Sequence, residues 1–166
     1  NCCPGIYVSD LAEIAWLLNI RGNDIAYNPF VISFLYVGAD GKHVLYVNKE
    51  QVADIENYLH ALGIAVEDYD ESLVEYCSET PIAEWKCIKN SVEQDGFKKA
   101  HIRDGVAMVR FMVQMDDALA NNRPISEMWV DRELTSLRAE QEGFVSLSFE
   151  TIAGFGAHGA IVHYEA

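Results

Sequence analysis

Apolar residues recur every three or four positions in some stretches of this chain and alternate or run together in others. Each change of period marks an element. In SDLAEIAWLLNIRG, residues 9–22, Leu11, Ile14, Leu17 and Leu18 fall on one face of a 3.6-residue repeat, which predicts a helix. Ser9 or Asp10 can accept from its first free amides, and Gly22 stands past its last turn. NDIAYNPF reads as a turn-rich connector, because Pro29 pushes Asn28 out of the helical region. VISFLYVG and HVLYVN, residues 31–38 and 43–48, are dense in β-branched and aromatic residues and predict strands. Between them ADGK offers Asp40-Gly41, a pair that tolerates the positive φ of a tight hairpin. KEQVADIENYLHALG returns to the helical period through Val52, Ile55, Leu59 and Leu62 and closes at Gly63, and IAVEDYD reads as a short strand. The first half is therefore α/β.

From Thr80 the patterning becomes long and helical. Thr80 is the expected cap and Pro81 the first helical residue, where its missing N–H costs nothing. Gly96 and Gly105 each weaken a helix by about 1 kcal/mol relative to Ala. The pattern predicts a short helix to about Asn90 and a longer one from about Val92 to Ala120. A third follows in PISEMWVDRELTSLRAEQEG, with Pro124, Ser126 and Glu127 at its start and Gly143 past its end. FVSLSFETIAGFG and AIVHYEA then read as strands. No repeat or low-complexity segment occurs. The two patterns meet near residues 78–81, so two pieces are expected, 1–79 and 80–166, with an overall α/β (α+β) class.

Composition narrows the function more than the fold. Of 166 residues half are apolar and 23% are charged, the mix of a soluble globular protein. No apolar run approaches the ~20 residues that span a bilayer, so no membrane segment is expected. No basic stretch followed by an apolar one opens the chain, which argues for the cytoplasm, and a start at Asn1 rather than Met suggests a piece of a longer protein. The net charge is −14, from 26 acidic and 12 basic residues, and the basic ones are scattered. Nucleic-acid binding needs a clustered basic surface and is not expected. Cys2, Cys3, Cys77 and Cys87 show no CxxC or CxxH spacing, so free thiols in a reducing compartment are expected rather than a zinc site.

The chemistry-bearing residues do not make a catalytic set by themselves. His43, His60 and His101 lack metal-ligand spacing, and His101 with Asp104 fits a surface contact on a helix better than a metal site. Asp116-Asp117 lies near a helix C-terminus, where the macrodipole disfavours negative charge, and EDYDES at 67–72 is an acidic, solvated loop. GFGAHG lacks the GK[ST] of a phosphate loop, and neither a GxSxG elbow nor an HExxH helix occurs. His158 and His163 stand out because glycines interrupt the run that carries them, and such glycines mark close approach of a ligand or another backbone. A neutral imidazole placed there can donate to a developing oxyanion or move a proton, an effect on the order of 10²–10⁴ in rate.

Three stretches in order carry a family likeness: IAWLLNIRGNDIAYNPF, KNSVEQDGFKKAHIRDGVAMVRF and AEQEGFVSLSFETIAGFGAHGAIVHY. They resemble Xaa-Pro aminopeptidases (aminopeptidase P), the long cytosolic three-domain type above all. The resemblance implies that residues 1 to about 78 end a creatinase-like N-terminal domain, the second of its kind. Residues from about 81 onward would then begin a pita-bread peptidase domain. It implies hydrolysis of the bond between an N-terminal residue and a following proline, with two divalent ions, commonly manganese, activating water. Proline gives the specificity, since its amide has no N–H and its ring fixes φ.

By the same resemblance, the histidine of the family's HY strand falls on His163, which contacts substrate and assists proton handling. His158 falls where relatives vary and receives no catalytic role. Gly154 to Gly159 would form the substrate-facing edge of a strand pair. The family's metal ligands, two aspartates, one histidine and two glutamates, lie downstream of that strand, so this chain is expected to bind no metal and to be inert alone. Relatives also carry several tens of residues between the positions of Ser78 and Thr80, and Gln114-Met115-Asp116 stands where they have Trp-Leu-Glu. A homodimer interface from the first half is a further implication. The alternative reading is a non-catalytic pita-bread interaction module, distinguished by loss of the downstream aspartate pair.

Overall fold

In the computed structural model, which describes residues 4–164, the first sheet strand is one the pattern does not reveal. β1 (Gly5–Val8) is only four residues long, too short for alternation to be distinguished from coil. It pairs antiparallel with β2 (Ser33–Gly38), placing Tyr7 opposite Tyr36. β2 pairs antiparallel with β3 (His43–Val47) across the Asp40-Gly41 turn, where Gly41 has φ 83° and the Asp40 carboxylate accepts from the Lys42 amide. β4 (Ile64–Asp68) runs parallel to β3, completing the order β1-β2-β3-β4. A parallel pair needs a crossover, and residues 49–63 provide it.

That crossover is not the single helix the period predicts. Asn48 accepts from the Glu50 amide and tightens Lys49–Ile55 into a 3-10 helix, and only Glu56–Ala61 is α-helical (α2). The preceding helix, α1 (Leu11–Leu18), is capped by the Asp10 carboxylate on the Glu13 amide. It stops at Asn19, which takes a left-handed φ of 51° and returns its N–H to the last turn. Asn tolerates that conformation better than most side chains, so Gly22 is not needed as the stop signal. Gly22 has another constraint: a Cβ there would come within 2.4 Å of Val31 and 2.8 Å of the Phe30 carbonyl. α1 buries Ile14, Ala15 and Leu18, whereas Leu17, expected on that face, is 39% exposed.

The core of this first unit gathers Val8, Ile14, Leu35, Leu45, Val47 and Leu59 with Ile82 of α3 (Ile82–Cys87). Thr80 does act at the start of α3, accepting from the Ile82 amide while its hydroxyl donates to the buried Glu13 carboxylate at 2.5 Å. This hydrogen bond between Thr80 and α1 supplies the partner that a buried carboxylate requires. Residues 71–76, within and after the predicted acidic loop, form a 3-10 turn capped by Asp70.

Residues 89–166 make a second compact unit. α4 (Ser91–Ala120) runs 30 residues without a break. A reciprocal capping box starts it, with Asn90 accepting from the Glu93 amide and Glu93 from the Asn90 amide. Gly96 and Gly105 stand in open space, so they cost propensity but cause no packing conflict. At its far end Asp117, disfavoured by the macrodipole, accepts from Asn121 and pairs with Arg123, which supplies the missing positive charge. α5 (Glu127–Ala139) packs on α4 through Ala107, Phe111, Leu134 and Leu137, flanked by the ion pairs Arg138–Asp104 and Arg110–Glu140.

The two strands expected after α5 are a correction. Residues 144–155 are irregular, Gly156–Ala160 is a 3-10 turn, and no strand of the described residues pairs with either segment. Their aromatic and β-branched composition suits a pleated surface, but a strand also needs a ladder partner for its backbone amides, and none is present among the described residues. The last two residues of the predicted strand AIVHYEA, Glu165 and Ala166, lie outside the described residues.

Candidate functional site

Polar contacts in the second unit converge on one carboxylate. Ser126 caps α5 by accepting from the Trp129 amide at 3.1 Å, which makes Glu127 the first residue of the helix. An acid there faces the positive end of the helix dipole. Its Oε1 accepts from the Phe155 amide at 2.6 Å, and its Oε2 accepts from the Tyr164 hydroxyl at 2.7 Å. His158 Nδ1 lies 3.0 Å from Oε1 and 2.9 Å from Oε2. The rings of His158 and Tyr164 stack with centroids 4.6 Å apart. These donors hold the Glu127 carboxyl down at a pKa of about 2, the Phe155 amide contributing most, then the Tyr164 hydroxyl and His158. The Tyr164 hydroxyl is correspondingly raised, because ionising it would break its bond to the carboxylate and set two negative charges together.

The glycine-rich loop shows why those residues are small. A Cβ on Gly154 would sit 3.1 Å from the His158 carbonyl carbon and oxygen and from the Gly159 nitrogen, and Gly156 takes φ 61°. The chain thus folds back on itself between Gly154 and Gly159 as a tight turn rather than as the edge of a strand pair. His163, the residue expected to meet substrate, is exposed and sits in the left-handed region with φ 55°. Its ring has no hydrogen bond among the described residues, whereas its neighbour Tyr164 is tied to Glu127. His158, which sequence reasoning left without a role, is the histidine the loop brings to the carboxylate. Glu127 was visible only as a helix-start residue. Nothing in the local sequence links it to a loop some thirty residues later.

Among the described residues no group of three or more His, Cys, Asp or Glu side chains is arranged to hold a metal ion. Glu127 and His158 are not the beginning of such a site, since both carboxylate oxygens are already occupied by an amide, a phenol and an imidazole. An open groove of about 700 Å³ lies in the same unit, lined in part by Met108, Leu134, Phe149 and Ile152. Its charged residues are paired, Arg138 with Asp104 and Arg103 with Glu142. Its lining is mostly apolar, with Ser146, Ser148 and Thr151 among it and its charges paired.

Two family models match the chain in succession, the Creatinase/Prolidase N-terminal domain over residues 1–80 and metallopeptidase family M24 over residues 95–166. A probable Xaa-Pro aminopeptidase P of Sordaria macrospora is 33% identical over 200 aligned positions, covering 95% of this chain and 32% of the relative. The Xaa-Pro aminopeptidase 1 of Dictyostelium discoideum is 34% identical over 192 positions, with 95% and 30% covered. Among solved structures, X-prolyl aminopeptidase from Caenorhabditis elegans, described as a cytosolic enzyme with a di-nuclear active site, is similar with a TM-score of 0.91 at 25% identity. That likeness covers 98% of this chain and 32% of the other. The chain spans about a third of the length of the curated relatives it matches.

Proposed function

We propose, since this chain belongs to the Xaa-Pro aminopeptidase family, that the protein carrying it removes the N-terminal residue from peptides with proline in the second position. The observation that carries this reading is the succession of a creatinase-type domain and an M24 domain on one chain, together with its structural likeness to an X-prolyl aminopeptidase. Residues 1–79 then belong to the N-terminal domain and residues 80–166 open the peptidase domain, its first stretch, Thr80 to Ile88, packing with the first unit. The protein acts in the cytosol, as the nematode relative does, and a homodimer through the first half fits the reading.

Two divalent ions, manganese in this reading, supply Lewis-acid activation of water and of the scissile carbonyl when bound. The described residues offer no ligand set for them. What the chain contributes is a substrate contact: His163, exposed at the end of the glycine-rich loop, approaches the peptide and holds a proton near the reacting carbonyl.

The test is hydrolysis of an Xaa-Pro peptide by the product of the whole gene, loaded with manganese. Activity that falls roughly 10²-fold or more in His163→Ala, with the fold retained, supports the reading. A full-length product that lacks activity, and whose remaining sequence lacks the aspartate pair and the later histidine and glutamates, overturns it in favour of a non-catalytic interaction module.

A further inference from the structure

We infer that Glu127 is the positioning residue for His163: by gripping the loop at Phe155, His158 and Tyr164, it sets where the substrate-facing imidazole stands. This rests on the peptidase reading above for its functional consequence, but the grip itself is structural. His163 has a backbone φ of 55°. A non-glycine residue in the left-handed region is strained and persists only where neighbouring contacts over-determine it. His163 makes no hydrogen bond of its own through its ring among the described residues, and the 3-10 turn before it ends at Ala160. The fixed point is the next residue, whose hydroxyl donates to Glu127 Oε2 at 2.7 Å.

The other contacts hold the near end of the same loop. The Phe155 amide lies at the entry to the 3-10 turn and donates to Oε1 at 2.6 Å, while His158, within the turn, lies 2.9 Å from Oε2 and stacks on Tyr164. Residues 155 and 164 are therefore anchored to one carboxylate on the first turn of α5, and the segment between them has little freedom. A carboxylate suits the role because it accepts from all of these donors at once, while an amide has a single acceptor oxygen. The carboxyl stays ionised through the whole range in which a peptidase works, so the grip does not loosen near neutral pH. A helix end is also a rigid place to anchor a loop, and displacement by about 1 Å of a group that must meet substrate can cost on the order of 10²-fold in rate.

The experiment uses the full-length, metal-loaded protein and Glu127→Gln, with Tyr164→Phe as a second variant that removes one surface tie and should fold whatever Glu127→Gln does. Two readouts precede activity. In the parent, the Phe155 amide resists hydrogen exchange and Tyr164 titrates above the ordinary tyrosine value, followed by ¹³Cζ resonance. In Glu127→Gln, which keeps one acceptor oxygen and no charge, Tyr164 returns toward the ordinary value, the Phe155 amide exchanges faster, and His163 leaves the left-handed region. In the assay, kcat per folded molecule falls roughly 10²-fold while KM stays within about threefold, and metal content is unchanged. Tyr164→Phe falls less, and Glu127→Asp, which restores the charge on a shorter arm, recovers part of the loss.

An active parent in which Glu127→Gln and Tyr164→Phe leave kcat unchanged overturns the positioning role. Unaltered Phe155 and Tyr164 signatures in Glu127→Gln overturn the grip. An inactive parent whose signatures change in this way in Glu127→Gln overturns the peptidase reading and supports the grip alone.

Discussion

Both units carry apolar repeats, and they bury very different amounts of them. In the first, twelve residues from strands, helices and connections enclose one another, among them Val8, Leu35, Leu45 and Leu59 with no exposed surface. In the second, the largest buried cluster is four residues between α4 and α5. Along α4, Ile102, Val106, Val109 and Val113 recur at helical spacing and lie open, and Val145, Phe149 and Val162 beyond α5 are exposed too. An amphipathic repeat records a face that needs covering. Whether it is covered depends on a second surface, which the first unit supplies from its own sheet and the described part of the second does not.

That contrast can be attacked by truncating equivalent side chains. Leu45→Ala, at the centre of the sheet, should cost the first unit about 2–5 kcal/mol in denaturant unfolding, because it removes packed methyl groups and leaves a cavity. Val109→Ala, at a position 62% exposed, should change stability by no more than about 0.5 kcal/mol. Equal losses at the two positions would mean that α4 is covered in solution and the contrast is false.

A smaller effect tests the polar link inside the first unit. Thr80→Ala leaves the buried Glu13 carboxylate without its hydroxyl donor and should cost about 1–3 kcal/mol, read in the same unfolding experiment. Thr80→Ser, which keeps the hydroxyl, should recover most of it. In the second unit, Asn90→Ala removes the capping box of α4 and should cost about 1 kcal/mol, seen as fraying of the first turn by hydrogen exchange.

The weakest expected effect is a pH dependence confined to the second unit. The Glu127 carboxyl is lowered from 4.5 to about 2 in the folded state, so the unfolded state binds its proton first as pH falls. The stability it contributes is present above about pH 4.5 and declines as pH falls toward 2. Glu127→Gln should flatten that part of the acid unfolding curve. A curve with the same slope in both proteins would show that other carboxylates carry the acid sensitivity.

The physical reason some of this was legible in advance is range. The Asp40-Gly41 turn and the Gly63 stop of α2 depend on residues within a few positions, and each left a readable signal, whereas the equally local Asn90 capping box was passed over for a start near Val92. β1 was missed because four residues are too few to show a period, and the helix over 49–63 was divided by one side chain, Asn48, taking a nearby amide. The family likeness carried by AHGAIVHY and its companions reached further than any local rule. It rests on a whole pattern of residues, and two family models and a solved structure agree with it.

By itself, then, the sequence determined several turns and helix ends, which positions repeat as apolar faces, and a family likeness with which two family models agree. Only the tertiary structure decided which apolar faces are buried, that 144–156 lacks a strand partner among the described residues, and that Glu127 meets Phe155, His158 and Tyr164. Those facts depend on contacts between residues distant in sequence, and a carboxylate's local neighbours carry no record of a loop that reaches it only after the chain has turned back.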